Sequence, residues 1–346
     1  MIEVVENSGT MSRPGELTTK SADEPTFLIG NVPVYGDVIL APMAGFADVP
    51  TRAICRQFGS AMGYTEFVAA EDILNGAPIA RSLLDFREAD KPMVFQIFGN
   101  DARKILTAAQ QIEALGPDII DINMGCSTRR VSGRGAGVGM MLEPGLVAET
   151  FRLLSHHLDI PVTGKIRLGW ESRQNYLEIA RILEDNGAAS IAIHPRTKEQ
   201  KYRGKAHWDA IAQVREIVNL PVIGNGDVRS PEDIVTMLRQ TGCQAVMVGR
   251  GAIGNPWLFA RVDKRRLTFS EVAAVIREHL ELMVGYHGER GLILFRKHVK
   301  RYLAGLIPVR QFYQAMVTAQ SVEGFLEQLA AAESQFGGQV LRTLGR

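Results

Sequence analysis

Residues 118–130 run Asp-Ile-Ile-Asp-Ile-Asn-Met-Gly-Cys-Ser-Thr-Arg-Arg, and this stretch indicates how the chain is organised. Its first half is a short apolar run between turn residues, which predicts a buried strand of a parallel sheet. Its second half is small and basic and carries the thiol of Cys126, so we expect the strand to end at an exposed, reactive site. The glycine-rich residues 131–139 are expected to form a mobile loop with Cys126 at its base.

The same pattern recurs along the chain. Most of the strand-like segments are separated by amphipathic helical stretches, such as residues 102–115, which Gly116-Pro117 ends, and the helix that begins at Ser230-Pro231. Eight β-then-α units in about 225 residues predict an α/β fold, a TIM (β/α)8 barrel rather than an open doubly wound sheet. The predicted strands lie at about 37–42, 61–64, 93–97, 118–122, 160–166, 189–193, 221–224 and 244–248.

The predicted barrel leaves a segment at each end of the chain. Residues 1–26 are polar and lack sustained periodicity, so we expect a partly disordered N-terminal extension. The barrel is expected to span residues 27–262. Residues 263–346 are predicted to form a small all-helical C-terminal domain, because the strand pattern stops and helical patterns cover 271–286, 292–304, 309–318 and 322–335.

Composition is that of an ordinary globular protein. Of the 346 residues, 46% are hydrophobic and 22% are charged, and there is no apolar run long enough to span a membrane. The N-terminus lacks the basic-then-apolar order of a signal peptide, so we expect a soluble cytoplasmic protein. Three widely spaced cysteines argue against disulfides and a cysteine zinc site, and the adjacent His156 and His157 offer no metal-ligand spacing.

Charge is unevenly distributed along the chain. The formal total is +1, but residues 261–310 carry eleven Lys/Arg against five Asp/Glu, a local charge of +6 that leaves −5 for the rest. This basic segment fits either a phosphate-binding face or an ordinary solvated helical surface. For an arbitrary protein the second interpretation is somewhat favoured.

Chemically unusual residues stand at the ends of the predicted strands. In a TIM barrel the active site forms at the C-terminal ends of the strands. Stability alone does not require strand after strand to end in Gln, Cys, Lys, His and Asn. We therefore expect a functional site built from seven strand ends, at residues 41–45, 96–100, 123–126, 164–167, 194–197, 224–227 and 249–251.

A glycine motif follows the eighth strand. Residues 249–254, Gly-Arg-Gly-Ala-Ile-Gly, match G-x-G-x-x-G, but no further βα units follow to build a Rossmann half. In a barrel, the loops after the seventh and eighth strands commonly bind phosphate instead. Asn225-Gly226-Asp227 and Gly249-Arg250 are those loops, so we expect a phosphate-bearing cofactor such as FMN.

Three side chains at the strand ends have a functional and a structural interpretation. Lys165 occupies a strand position that would normally be apolar, so its ammonium needs either an anionic ligand such as reduced flavin or a carboxylate such as Asp121 or Glu66. A lone histidine such as His194 is usually structural, but its position at a strand end beside Arg196 favours contact with a ligand. Cys126 is either a small buried hydrophobe, as we expect for the other two cysteines, or a functional thiol.

The chemical role of a functional Cys126 is left open by its neighbours. The arginines that follow it favour the thiolate of a nucleophile, whereas a proton donor must keep its proton. The sequence alone is compatible with both roles.

In this order, the motifs resemble those of the tRNA-dihydrouridine synthase family, flavoenzymes that use FMN and NADPH to reduce a uracil ring in tRNA. The resemblance covers about residues 36–305, and Arg296-Lys297-His298 is most similar to the bacterial B-type branch. The matching residues are Ala41-Pro42-Met43-Ala44-Gly45, Asp48, Arg52, Thr65-Glu66, Gln96-Ile97-Phe98-Gly99, Asp121-Ile122-Asn123-Met124-Gly125-Cys126, Arg134, Ala136-Gly137, Lys165-Ile166-Arg167, His194, Arg196-Thr197, Gln200, Tyr202, Gly204, Ala206, Asn225-Gly226-Asp227, Gly249-Arg250-Gly251 and Arg296-Lys297-His298.

The resemblance implies a role for each part of the site. Cys126 aligns with the catalytic acid that protonates C5 of the uracil while reduced FMN delivers hydride to C6, and Asn123 and Arg196 would face the uracil. The tRNA would be gripped by Arg129, Arg130, Arg134, Arg296 and Lys297. No metal, membrane or obligate protein partner is implied. FMN would be held by Pro42, Met43, Ala44, Gln96, Lys165, His194, Asn225, Gly226, Asp227, Gly249 and Arg250.

The chain departs from the family pattern next to the thiol. The family usually has Cys-Pro followed by a lysine-bearing stretch, where this chain has Cys126-Ser127-Thr128-Arg129-Arg130; Pro195 replaces a usual glycine and Lys198 a common arginine. Two other functions fit part of the pattern. An FMN barrel acting on a small molecule, such as an ene-reductase or a dihydroorotate or dihydropyrimidine dehydrogenase relative, would not need the basic segment 261–310. A flavin-containing RNA-binding protein without catalysis would not need Cys126.

Overall fold

The computed structural model describes residues 24–344, and the chain begins there with a β-hairpin that the sequence did not predict. Strands β1, Phe27–Ile29, and β2, Val32–Val34, pair antiparallel. Ile29 and Val34 are fully buried against inward-facing barrel residues such as Met62. The hairpin therefore covers one end of the barrel. Most of the predicted N-terminal extension, residues 1–23, lies outside the described residues.

The main sheet is a parallel barrel, as predicted. All neighbouring strands pair parallel in the order β3-β11-β10-β9-β8-β7-β6-β4, and β5 pairs with the far end of β6. The second barrel strand is thus interrupted into β4 and β5, which gives eight barrel strands. Their bounds are β3 Val38–Leu40, β4 Gly63–Tyr64, β5 Val68–Ala69, β6 Met93–Phe98, β7 Ile119–Met124, β8 Val162–Gly169, β9 Ser190–Thr197, β10 Val222–Asn225 and β11 Ala245–Val248.

The barrel closes between β3 and β4 through single hydrogen bonds rather than a continuous ladder. The backbone N–H of Ala61 donates to Val38 O at 2.8 Å, and the backbone N–H of Leu40 donates to Ser60 Oγ at 3.0 Å. Ser60 Oγ in turn donates to Met62 O. A buried serine hydroxyl thus satisfies backbone groups at the seam.

Helices alternate with the strands around the barrel. The helix predicted to begin at Ser230-Pro231 does so, and Ser230 and Asp233 form a capping box at its start. The helix predicted at 102–115 is capped by Asp101, which accepts backbone N–H groups. The helices are α1 Val49–Gln57, α2 Ala70–Leu74, α3 Pro78–Leu83, α4 Ala102–Glu113, α5 Arg129–Ser132, α6 Pro144–His157, α7 Tyr176–Asp185, α8 Asp209–Ile217 and α9 Pro231–Thr241.

After β11 the chain is helical, as the sequence indicated. The helices are α10 Phe269–His287, α11 Arg290–Tyr302, α12 Arg310–Thr318, α13 Val322–Phe336 and α14 Leu341–Leu344. They enclose a second hydrophobic cluster centred on Phe269, Phe295 and Phe325. Ile54 of α1 belongs to the same cluster, so the helices pack on the barrel through α1. The boundary at residue 262 between two domains stays a prediction.

The segment after Cys126 differs from the mobile loop that the sequence predicted. It contains α5 and a 3₁₀ helix at Gly137–Leu142, and Val138 is fully buried. Gly137 has φ 56°, and a Cβ there would lie 2.8 Å from Cys126 O. The glycine is therefore required by close packing under the thiol, and glycine content alone does not indicate the absence of regular structure.

Two absences hold for residues 24–344. No helix there is both long and apolar enough to cross a bilayer. Within the same residues, His, Cys, Asp and Glu side chains nowhere come together in a group of three suited to a metal ion.

Candidate functional site

Strand alternation places a set of polar side chains inside the barrel. On β8, Thr163, Lys165 and Arg167 are two residues apart and therefore share the inward face, and on β9 the same holds for His194 and Arg196. The hydrophobic layer of the interior lies towards the β-hairpin. The polar side chains consequently lie towards the C-terminal ends of the strands, where a TIM barrel carries its active site.

A cavity of about 660 Å³ opens at this end of the barrel. The strand ends that the sequence singled out meet there, although they are spread over more than 200 residues of chain. Of the predicted site residues, those lining the cavity are Pro42, Met43, Ala44, Asn123, Cys126, Arg129, Lys165, His194, Asn225, Gly226, Asp227, Gly249 and Arg250.

Two predicted site residues, Gln96 and Arg196, lie buried behind the cavity wall. Gln96 contacts Asp121 and Asn123, and Arg196 contacts His194 and Asp227, so both support side chains that line the cavity. Direct contact of Gln96 with FMN and of Arg196 with uracil stays a prediction.

The remaining predicted tRNA contacts lie outside the cavity. Arg130 and Arg134 are exposed on the segment after the thiol. Arg296 donates to Ala319 O at 2.7 Å within the C-terminal helices, whereas Lys297 donates to Gly45 O beside the cavity rim. Of these four residues, Lys297 is thus tied to the cavity-lining loop.

Buried hydrogen bonds connect the barrel interior to the thiol. Gln96 Nε2 donates to Asp121 Oδ2 at 2.7 Å, and Asn123 Nδ2 donates to Gln96 Oε1 at 2.8 Å. Asn123 Oδ1 accepts the backbone N–H of Cys126 at 2.8 Å. Thr163 Oγ1 donates to the other oxygen of Asp121 at 2.7 Å. Burial raises the pKa of Asp121 to about 7, against the lowering effect of these donors.

Lys165 is a half-buried cation on the cavity wall, without a carboxylate partner among residues 24–344. Its Nζ donates to the amide oxygen of Asn225 at 3.1 Å, while Glu66 accepts the backbone N–H of Gly45. Burial, reinforced by Arg167, lowers the pKa of Lys165 to about 8, and Asp121 only partly offsets this. Lys165 therefore does not form the direct ion pair with Asp121 or Glu66 that the sequence left open.

The cavity as a whole is strongly basic. Asp227 contributes the single carboxylate among the described residues that line it. Against it stand seven basic side chains, so an anionic ligand matches the site. The seven are Arg129, Lys165, Arg167, Lys201, Arg229, Arg250 and Arg301.

A second buried network fixes the loop after β10. Arg196 donates to Asp227 Oδ2 at 2.5 Å, and Ala206 N–H donates to the same oxygen at 2.8 Å. Burial would raise the pKa of Asp227, but these hydrogen bonds outweigh it and lower the pKa. Asp227 has φ 58°, a conformation that Asp tolerates better than most residues. The loop predicted from sequence to bind phosphate is thus anchored by the Arg196 side chain and the Ala206 backbone, both outside it.

His194 faces the cavity as a neutral imidazole. Burial and four nearby cations, including Arg167 and Lys165, lower its pKa well below the usual value. Its Nε2 lies 3.0 Å from Arg196 Nη1, which has no acceptor capacity, so Nε2 is the acceptor and the proton is on Nδ1.

Sequence reasoning assigned no role to Arg167 and Tyr202, which form one wall of the cavity. Arg167 donates through Nε to Gly125 O at 2.6 Å and through Nη1 to Lys201 O at 2.8 Å. The Tyr202 ring lies 4.4 Å from the Arg250 guanidinium carbon and 5.5 Å from that of Arg167. Arg167 stands two residues after Lys165 on β8 and therefore shares its inward face, so strand alternation could have identified Arg167 from the sequence.

Cys126 differs from the other two cysteines. Cys55 and Cys243 are buried, as predicted, and burial raises the pKa of both. Cys126 is partly exposed and lines the cavity, and its Sγ lies 3.2 Å from Thr128 Oγ1. The thiol is therefore accessible to a bound substrate.

Comparison with known proteins agrees with this geometry. The family model "Dihydrouridine synthase (Dus)" matches residues 39–336. The chain is 38% identical to tRNA-dihydrouridine synthase B of Pseudomonas aeruginosa over 294 residues, which cover 82% of this chain and 89% of that protein. It is 33% identical to tRNA-dihydrouridine synthase B of Vibrio parahaemolyticus, with 88% of this chain and 99% of that protein covered.

Solved structures support the barrel fold alone. A 2-naphthoyl-CoA reductase complex superposes with a TM-score of 0.53 at 11% sequence identity, over 67% of this chain and 50% of that one. At this identity the likeness concerns the arrangement of strands and helices, and it carries no information on substrate.

Proposed function

The chain belongs to the dihydrouridine synthase (Dus) family, and we propose that it reduces the C5=C6 bond of specific uridines in tRNA to dihydrouridine. Family membership makes it a flavin-dependent oxidoreductase. FMN is the proposed cofactor and NADPH the proposed reductant. The observation that carries the proposal is an accessible thiol, Cys126, on the wall of a basic cavity, in a chain that matches the Dus model over residues 39–336.

The residues present fit FMN. The two predicted phosphate loops, at Gly226 and Gly249, lie on one side of the cavity with Arg229 and Arg250 beside them. A Cβ at Gly226 would lie 2.9 Å from His194 Cδ2, so only glycine leaves room there. Lys165, a half-buried ammonium that lacks a carboxylate partner among the described residues, would supply positive charge for the flavin ring, which is anionic when reduced.

Bound FMN would supply the hydride that adds to C6 of the uracil. Addition to a conjugated C=C leaves carbanionic charge at C5, which a positioned acid must neutralise. Cys126 is the proposed acid, because its thiol lines the cavity and its backbone N–H is held by Asn123. The Asn123 amide also has a second N–H, which is proposed to orient the uracil.

Basic side chains around the cavity suit tRNA binding. Arg129 and Arg301 are exposed and line the cavity from α5 and α11. Lys297 of α11 lies 5.1 Å from the centre of the Phe46 ring, another cavity-lining residue. A uridine inside a folded RNA must be unstacked before its ring is reduced. We propose that these cations hold the phosphates on either side of the extruded nucleotide.

Two measurements test the proposed function. The purified protein is expected to be yellow, or to become so on addition of FMN. Nucleoside mapping of tRNA from cells that lack the gene is expected to show uridine in place of dihydrouridine at one or more positions, restored by the wild-type gene. Unchanged tRNA would point instead to a small-molecule reductase, and a protein that cannot be reconstituted with FMN would exclude the flavin site.

Lys165→Met is expected to weaken FMN binding. A hydrogen bond to a charged group contributes about 1.5–3 kcal/mol, so the Kd should rise about tenfold to hundredfold. In the wild type, affinity is expected to stay constant up to the Lys165 pKa of about 8 and then fall as pH rises and the ammonium is lost. Flavin fluorescence titration of the apoprotein from about pH 7 to 9 measures both effects.

Lys198→Met is the matched control for this measurement. Lys198 lies 3.8 Å from the centre of the Trp170 ring, and it is not among the residues that line the cavity. Its loss should change FMN affinity less than about twofold. If Lys165→Met keeps the wild-type dependence on pH, the ammonium of Lys165 does not bind the flavin.

A further inference from the structure

We propose that Asp121 is a positioning residue that fixes, through Gln96 and Asn123, the main chain that carries the Cys126 thiol. The inference rests on the proposed function in that Cys126 is the proton donor there. Asp121 itself is fully buried and is not among the residues that line the cavity. It therefore acts on the reaction only through the side chains it contacts.

The order of donors and acceptors in the network is determined at both of its ends. Above the Asp121 pKa of about 7 the carboxylate is ionised and only accepts hydrogen bonds, so Gln96 turns its NH₂ towards Asp121. Gln96 Oε1 then faces Asn123, which donates its own NH₂. At the other end the backbone N–H groups of Gly125 and Cys126 can only donate, and Asn123 Oδ1 accepts both, at 3.1 and 2.8 Å.

The register of the sheet makes this network possible. Gln96 of β6 pairs with Asp121 of β7, and Asp121 pairs with Thr163 of β8. The three side chains therefore meet at one level inside the barrel, and Asn123 lies one inward position closer to the cavity. Gln96 is fully buried and Asn123 is 7% exposed, so water does not compete for these bonds.

Asp121→Asn keeps the shape of the side chain but permits the opposite order. If the new NH₂ faces Gln96, Gln96 and Asn123 must both turn round, and an NH₂ then faces the backbone N–H of Cys126. If the new NH₂ instead faces Thr163, the Thr163 hydroxyl must accept rather than donate, and the charge-assisted hydrogen bond from Gln96 becomes a neutral one of about half the strength. Both arrangements loosen the hold on the thiol, the reversed order more strongly, and a displacement of about 1 Å at a reacting group can cost about 100-fold in rate.

The main test measures single-turnover reduction of tRNA by the flavin-loaded, prereduced protein at about pH 8, above the Asp121 pKa of about 7. Asp121→Asn is expected to lower the maximal single-turnover rate about 100-fold, with the half-saturating tRNA concentration and the Kd for FMN changed less than about twofold. Thr163→Val is the matched control, because it removes the other hydrogen bond of Asp121 and leaves the Gln96 contact intact. It should keep the maximal single-turnover rate within about threefold of wild type. Equal losses in the two variants, or loss of FMN in Asp121→Asn, would overturn the positioning role.

A second measurement does not depend on activity. The rate at which iodoacetamide alkylates Cys126, followed by peptide mass spectrometry, is expected to rise at least about threefold in Asp121→Asn because the loop is released. The double variant Asp121→Asn/Asn123→Asp reverses the whole network so that each contact along it again joins a donor to an acceptor, and it should restore the wild-type rate. Failure to restore it overturns the inference. Wild-type protein that forms no dihydrouridine would refute the proposed function, while alkylation would still test the positioning role.

Discussion

Cys126→Ala is expected to lower dihydrouridine formation about 10²–10⁴-fold, the usual contribution of a general acid. The thiol is partly exposed on the cavity wall, whereas the other cysteines are buried, so no second thiol can replace it within residues 24–344. FMN binding should be unchanged, because the proposed flavin contacts lie on other strand ends. Dihydrouridine in tRNA incubated with NADPH, measured by mass spectrometry, gives the rate, and flavin absorbance gives the cofactor content.

Cys243→Ala is the control for this variant. Cys243 is 5% exposed and packs in the barrel core, so its replacement removes a thiol without touching the cavity. It should retain nearly full activity once the protein is folded. Activity of Cys126→Ala within tenfold of wild type would show that the proton comes from another group. Loss of flavin in Cys126→Ala would mean that the residue supports the cofactor rather than the proton transfer.

Periodicity was sufficient to predict the barrel and the meeting of its polar strand ends on one side. Each strand end that carried an unexpected polar residue, such as Lys165 or His194, proved to lie at the same end of the barrel. This works because parallel strands place all their carboxyl ends on one side. A polar residue in an apolar strand is therefore informative even without knowledge of its neighbours.

The partners of these residues could not be predicted, since they depend on register between strands. Asp121 was considered as a partner of Lys165, and the structure pairs it with Gln96 and Thr163 instead. Arg196 was assigned to the substrate and lies at 1% exposure against Asp227. A one-residue shift between strands would change each of these contacts, and sequence periodicity does not determine such a shift.

The hairpin at residues 27–34 was missed because its strands are three residues long and one contains a proline.

Glycine content was misleading where glycine serves packing. The segment after Cys126 was predicted to be mobile, although Gly137 and Gly139 allow backbone contacts that any Cβ would block. Close approach and flexibility both favour glycine, and only the structure distinguishes them.

A buried arginine next to the cavity provides the second large effect. Arg52 of α1 is 1% exposed and donates to Ala47 O at 2.7 Å and to Asp85 O at 2.6 Å. Its Nε lies 3.4 Å from Asp90 Oδ2, and Asp90 is fully buried. Arg52 thus joins the end of the cavity-lining loop at residues 43–47 to the segment at residues 85–90.

Arg52→Met is expected to lower the free energy of unfolding by about 3–5 kcal/mol, because it leaves the buried Asp90 carboxylate without this cation and the carbonyl groups of Ala47 and Asp85 without this donor. Arg87 still contacts Asp90 but is 41% exposed, so it compensates only in part. Arg261→Met is the matched control: its ion pair with Asp37 is shorter, at 2.6 Å, but lies at the surface, and its loss should cost at most about 1 kcal/mol. Urea denaturation followed by circular dichroism compares the two variants. Equal destabilisation of the two variants would show that burial does not determine how much the Arg52–Asp90 ion pair contributes to stability.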